Sequence, residues 1–125
     1  IEKFFSNVYN LLDKRGYFIF QIVNYDRILD KNIKGLPLIV NKEKDIEFHR
    51  HYKYNDEQHL IYFQTHLIQG NKEIKHEIPL YPLRRDEINQ IAKRKGFEVV
   101  KYYGSYKLTE FDKSESMPLI GVLRK

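Results

Sequence analysis

The chain has 125 residues and contains no cysteine, no tryptophan, only six glycines and four prolines. Without cysteine there can be no disulfide, no thiolate nucleophile and no Cys-ligated zinc. We therefore expect a cytoplasmic location, because disulfides are characteristic of oxidising compartments. No stretch approaches the roughly 18 consecutive apolar residues of a transmembrane helix, so we expect no membrane partner.

Aromatic residues are abundant, with ten tyrosines and eight phenylalanines. This composition excludes a disordered chain and predicts an aromatic core whose hydroxyl groups need partners. The net charge is +5, but the basic residues are scattered, for example at Lys42, Arg84 and Lys93. Because nucleic-acid binding requires a concentrated basic surface, the charge pattern argues against a nucleic-acid partner.

The first 26 residues predict a helix followed by a strand. Apolar residues in the first twelve positions recur with helical spacing, and we expect that helix to end near Arg15, with Gly16 in a left-handed cap. No capping side chain precedes Ile1, which indicates a start inside a longer protein. Tyr17–Val23 is almost continuously apolar, which is typical of a strand buried on both faces in a parallel sheet. Residues 27–44 read as a loop with a short helical turn at most.

Residues 45–81 predict a three-stranded antiparallel meander, because polar and apolar residues alternate with period two. The alternation places Arg50, Tyr52 and Tyr54 on one face, together with His76 as a further candidate. Residues 82–125 predict a helix over 85–95, a Gly96 cap and two strands, over 97–103 and 117–123. We interpret these three parts as one domain.

Several short motifs occur in a characteristic order along the chain. They are Asn24-Tyr25-Asp26 after the apolar strand, Arg50 and Tyr52 in the meander, Leu80-Tyr81-Pro82-Leu83 before the helix, Lys95-Gly96-Phe97 after it, and Tyr103-Gly104. In this order they resemble the C-terminal part of class I S-adenosylmethionine-dependent methyltransferases. The resemblance implies an α/β fold (α+β for this piece alone): the last strands of a Rossmann-like sheet, two helices and an inserted meander.

The resemblance also implies a function. The parent protein would transfer a methyl group to a small molecule, and the meander would form a lid over the acceptor site. No catalytic residue is assigned, because alignment of the reactants supplies most of the acceleration. Since ligands of open α/β sheets bind beyond the carboxyl ends of strands, the implied substrate-binding residues are Asn24, Tyr25, Arg50, Tyr52, His76 and Tyr81.

The family binds its cofactor in a Gly-rich turn and holds the ribose with an acidic residue after the next strand. This sequence contains no Gly-x-Gly and only isolated glycines. We therefore expect that S-adenosylmethionine belongs to the parent protein, and that the chain alone neither binds it nor is active.

Alternative roles stay open for the individual residues. Asn24 and Tyr25 either line the acceptor site or simply end a strand, and the tyrosines could be edges of the core. Arg50 either binds an anionic group of the substrate or pairs with an internal acid such as Glu77. His49 and His51 share a face with charged residues, so we predict that the histidines form no metal site.

Two other functions compete with the methyltransferase hypothesis. One is a non-catalytic α+β ligand-binding or interaction domain with a Tyr-rich sheet face, and the other is single-stranded nucleic-acid binding on aromatic strands. For the isolated chain we also expect a homodimer, formed through an open edge of Tyr17–Val23 or by exchange of the first helix, because this strand carries neither charge nor proline.

Overall fold

A computed structural model describes all residues, 1–125. In chain order the elements are α1 (Glu2–Leu11), β1 (Tyr17–Val23), α2 (Tyr25–Asp30), β2 (Gly35–Asn41), β3 (Ile46–Asn55), β4 (Leu60–Gln69), β5 (Lys72–Leu80), α3 (Arg85–Arg94), β6 (Glu98–Tyr103) and β7 (Pro118–Arg124). The chain forms two compact units, one of residues 1–31 and 83–125 and one of residues 32–82. The predicted α/β class is confirmed.

The first unit is an antiparallel sheet of order β1-β7-β6, with α1 and α3 packed against one face. Phe5 of α1 makes edge-to-face ring contacts with Phe18, Phe20 and Phe97, at centroid distances of 6.0 to 6.5 Å. These geometries are favourable for aromatic pairs. The fully buried members of this core are Phe5, Ile88, Ile91, Ala92, Phe97, Leu119 and Leu123.

The prediction that β1 is buried on both faces is wrong. β1 lies at the edge of its sheet and pairs antiparallel with β7, and its side chains alternate between the core and solvent. Ile19 is 66% exposed and Tyr17 54% exposed. The physical reason is that α1 and α3 both pack on the face that carries Phe18 and Phe20, which leaves Tyr17 and Ile19 on the other face exposed.

Two positions in the first unit favour glycine for different physical reasons. A side chain at Gly121 of β7 would come within 2.4 Å of the Phe20 ring, so glycine is required for β1 and β7 to pack with this aromatic core. Gly96 takes a positive φ of 96° after α3, as predicted for a helix cap. After α1, however, Arg15 and not Gly16 takes the left-handed conformation, and the helix already ends at Leu11.

The second unit is a four-stranded antiparallel sheet of order β2-β3-β4-β5. The meander of β3, β4 and β5 occupies the predicted positions, but residues 27–44 are not the predicted loop. They contain the end of α2 and the additional strand β2, which pairs with β3 across an irregularity between Leu36 and Ile39. Gly35 and Pro37 concealed this strand, because both residues are typical of loops and are confined in sheets to edges and bulges. The sequence prediction of two helices likewise missed α2.

The helices have six to ten residues each, too few for any of them to cross a bilayer.

The open edge of β1 leads to the first prediction. We expect the isolated chain to form a dimer at tens of micromolar, because an uncharged edge strand without proline is a template for pairing with another strand. Changing Ile19 to Lys should shift the species to monomer in sedimentation velocity, since a charge on an edge strand opposes pairing.

Leu108→Lys is the matched control, because Leu108 is 64% exposed in the loop between β6 and β7. It should leave the dimer intact. A wild-type chain that sediments as a monomer would contradict the prediction.

Candidate functional site

Asn24 connects the end of β1 to the loop before β7. Its side-chain amide donates to the carbonyl oxygens of Lys113 at 3.0 Å and Ser116 at 2.8 Å, and its Oδ1 accepts from the backbone N–H of Arg27 at 3.4 Å. The residue is only 1% exposed. Asn24 therefore caps α2 with its side-chain oxygen and holds the loop before β7 with both amide hydrogens.

Asp26 is the centre of a polar cluster that the sequence prediction missed. It is 2% exposed, and its carboxylate accepts from Arg84 Nη1 at 3.2 Å and from the backbone N–H of Arg85 at 3.1 Å. Lys113 Nζ lies 4.0 Å away. The side chain of Arg84, the N-cap residue of α3, accepts no hydrogen bond from the first turn of the helix. Asp26, which is distant in sequence, supplies an acceptor for the Arg85 N–H instead.

Arg84, one of the basic residues that appear scattered in the sequence, is part of this cluster. Arg84 bridges two carboxylates, at 3.2 Å from Asp26 and 3.0 Å from Asp30. Tyr25 lies between the two polar residues of the Asn24-Tyr25-Asp26 motif and is buried. The motif therefore forms a rigid corner of the first unit.

Strand register divides the second sheet into two chemically different faces. Arg50 lies directly opposite Thr65, and Thr65 lies directly opposite His76. Tyr52 lies two residues from Arg50 and contacts the Phe63 ring at 5.4 Å, so the predicted residues Arg50, Tyr52 and His76 share one face. Burial also raises the pKa of Tyr54, which lies on the same face and donates to the carbonyl of Ile33 at 2.5 Å.

Arg50 has no acidic partner. Its Nη2 donates to the carbonyl of Pro37 at 2.9 Å, its guanidinium lies 5.7 Å from the Phe48 ring centre, and its Nε is buried without a hydrogen bond. The alternative of a pair with Glu77 is wrong, because Glu77 lies opposite Gln64 on the other face and accepts from it at 2.7 Å. The guanidinium thus has no ion-pair partner within the protein, which is compatible with a ligand role for Arg50.

The other face carries three of the five histidines, His49, His51 and His66. The ring of His49 is 6.2 Å from that of His51 and 6.0 Å from that of His66, and the register places them beside Glu47, as predicted. His66 Nε2 lies 2.8 Å from Glu73, and this hydrogen bond lowers the pKa of the Glu73 carboxyl. No group of three or more histidine or acidic side chains has an arrangement that could hold a metal ion. A shallow groove of about 430 Å³ is lined from this face by residues such as His51, Lys75 and Glu77, and also by Thr65 and His76 of the aromatic face.

The remaining predicted site residue is Tyr81, which follows β5. Tyr81 is 40% exposed, and its ring lies 5.7 Å from that of His59. The structure thus brings Arg50, Tyr52 and His76 onto one sheet face, while Asn24 and Tyr25 belong to the other compact unit.

The glycines do not fit a cradle for S-adenosylmethionine. A side chain at Gly35 would meet the Arg50 carbonyl at 2.4 Å, and one at Gly104 would meet Ser116 Oγ at 2.3 Å. Both glycines therefore make room for the protein's own atoms. The one strand that runs directly into a helix, β1 into α2, turns at Asn24, whose side chain is already committed.

No family model matches the sequence, and a search of curated proteins gives no match. Solved structures do match. The CcbJ methyltransferase from Streptomyces caelestis is similar over 98% of this chain and 52% of its own, with a TM-score of 0.81 and 18% identity. An S-adenosylmethionine-dependent methyltransferase from Clostridium acetobutylicum is similar over 98% of this chain and 50% of its own, with a TM-score of 0.75 and 16% identity.

The chain thus has the fold of one part of these methyltransferases and spans about half the length of the solved structures that it matches. The two antiparallel sheets and three helices described above are the shared elements. At 18% and 16% sequence identity, this structural similarity establishes the fold alone.

The Asp26 cluster generates the second prediction. Changing Asp26 to Ala should lower the free energy of unfolding by about 3 kcal/mol, because it leaves the Arg84 pair broken and the start of α3 without its acceptor. Urea denaturation measures this loss.

Asp30→Ala is the matched control. Its side chain pairs with the same Arg84 but is 53% exposed, so it should cost less than about 1 kcal/mol. Equal losses for the two variants would contradict a special role for Asp26.

Proposed function

We propose that this chain is the C-terminal portion of an S-adenosylmethionine-dependent methyltransferase that acts on a small molecule. In this proposal the first unit supplies the edge of the central sheet, and the four-stranded sheet is the lid over the acceptor site. The observation that carries the proposal is the fold match to two methyltransferases over 98% of this chain. The proposed compartment is the cytoplasm.

The proposed acceptor-binding residues form two separate groups, one in each unit. Asn24 and Tyr25 lie where β1 ends, which is the end of a strand at which α/β proteins bind ligands. Arg50, Tyr52 and His76 share the aromatic face of the second sheet, and Tyr81 follows that sheet. These groups would orient the acceptor and exclude water, which is sufficient for a reaction that depends on alignment.

In this proposal the cofactor is held by the half of the enzyme that the chain does not span. Supporting this, the glycines of the chain face its own atoms, and the two solved relatives extend to about twice the matched length. The chain alone would therefore be inactive and would not bind S-adenosylmethionine.

The runner-up is a non-catalytic α+β ligand-binding or interaction domain. The aromatic face of the second sheet, with Phe48, Tyr52 and Phe63, favours it. Only the methyltransferase requires S-adenosylmethionine, so binding of this cofactor distinguishes the two functions.

The third prediction compares two polypeptides by calorimetric titration with S-adenosylmethionine. The full reading frame that encodes this chain should bind the cofactor, and the 125-residue chain should give no measurable heat of binding. A micromolar dissociation constant for the 125-residue chain would overturn the assignment of the cofactor to the other half. Failure of the full reading frame to bind would favour the interaction domain.

The fourth prediction tests the acceptor site in the full enzyme. Arg50→Ala should lower kcat/KM by about tenfold or more, the value of a hydrogen bond to a charged group, with little change in melting temperature. Tyr25→Phe should also reduce turnover more than stability. Parallel losses of activity and stability would assign both residues to the scaffold.

A further inference from the structure

One polar row crosses the aromatic face of the second sheet. Arg50, Thr65 and His76 are direct cross-strand neighbours on β3, β4 and β5. Adjacent strands lie about 4.8 Å apart, so the three side chains form a continuous line of hydrogen-bonding groups. Neither Thr65 nor the row as a unit was evident from the sequence, because a row across a sheet depends on the register.

Apolar rows flank this polar row on both sides. The register places Phe48, Leu67 and Ile74 along one side and Tyr52, Phe63 and Ile78 along the other. Tyr52 is only 7% exposed, whereas Ile74 is 54% and Ile78 51% exposed, so the face is accessible on its β5 side. A ligand that approaches from the β5 side would contact the polar row and the apolar rows on either side of it.

The charge of the row matches a monoanion. Arg50 is always charged, has no acidic partner and has a buried Nε without a hydrogen bond. The Thr65 hydroxyl and the His76 imidazole can both donate. Arginine and a carboxylate form charge-assisted hydrogen bonds in a planar geometry, and an anion beside the guanidinium would compensate for its desolvation.

We propose that the Arg50–Thr65–His76 row binds the carboxylate of a ligand with a flat apolar body, which lies on the flanking rows. This deepens the proposed function, on which it rests, by naming carboxylate-bearing molecules as the substrate class. The groove of about 430 Å³ borders the row itself, because Thr65 and His76 line it, and its one acid, Glu77, is already partnered by Gln64.

The experiment uses the 125-residue chain and 2-naphthoate as the probe, with neutral 2-naphthamide for comparison. We expect 2-naphthoate to shift the NMR signals of the Arg50 Nε–H and of the strand amides around Thr65 and His76. It should bind at least about tenfold more tightly than the amide, as expected for a hydrogen bond to a charged group.

The key variant is Arg50→Gln, which should weaken binding of 2-naphthoate at least about tenfold. Lys53→Gln removes a charge of the same sign from the opposite face of the same sheet, at a position that does not line the groove beside Thr65 and His76, and should leave the affinity unchanged. Because Arg50 also donates to Pro37, Thr65→Val provides a second test that leaves this contact in place. It should weaken binding by about threefold.

Equal binding of 2-naphthoate and 2-naphthamide, no binding of 2-naphthoate, or equal losses in Arg50→Gln and Lys53→Gln would each overturn the carboxylate row. These outcomes leave the methyltransferase proposal standing, since no cofactor is present. Conversely, a confirmed row together with a full reading frame that does not bind S-adenosylmethionine would identify the chain as a ligand-binding domain.

Discussion

The packing of both long helices against one face of the β1-β7-β6 sheet is the constraint on which the first unit depends. It concentrates the phenylalanines on one side, where Phe5 contacts the rings of Phe18, Phe20 and Phe97. It also leaves the outward side chains of β1 exposed and makes glycine necessary at position 121. A one-sided core of this kind explains why an almost wholly apolar strand can lie at the edge of a sheet.

The polar corner at the end of β1 depends on the same core. Asp26 can cap α3 only because α3 packs beside the sheet, and Asn24 can hold the loop before β7 only because β7 pairs with β1. Buried polar groups with all their partners in place are rigid. Rigidity at this corner would suit a segment that positions a substrate, as the proposed function requires.

The strand register of the second sheet places different types of side chain on its two faces. Histidines and acids pair with one another on one face, whereas aromatic and aliphatic rows enclose Arg50, Thr65 and His76 on the other. A shift of one residue between β3 and β4 would exchange these faces. The lack of an ion pair at Arg50 is therefore a consequence of the strand register.

Local patterns in the sequence determined the positions of α3, β3, β4, β5, β6 and β7, because helical and strand periodicities depend on neighbouring residues alone. Alternation also placed Arg50 and Tyr52 on one face. The same patterns failed where the outcome depends on distant contacts. Gly35 and Pro37 concealed β2, whose pairing with β3 is set by tertiary structure, and an apolar run could not reveal how many faces of β1 are covered.

For the candidate site, the sequence by itself determined which residue types were present and their spacing, including the Asn24-Tyr25-Asp26 motif. Only the tertiary structure decided that Asp26 pairs with Arg84, that Glu77 lies away from Arg50, and that Thr65 completes a row with Arg50 and His76. The physical reason is that these relations join residues far apart in the chain, and such contacts exist only once strands have paired in one register and helices have packed.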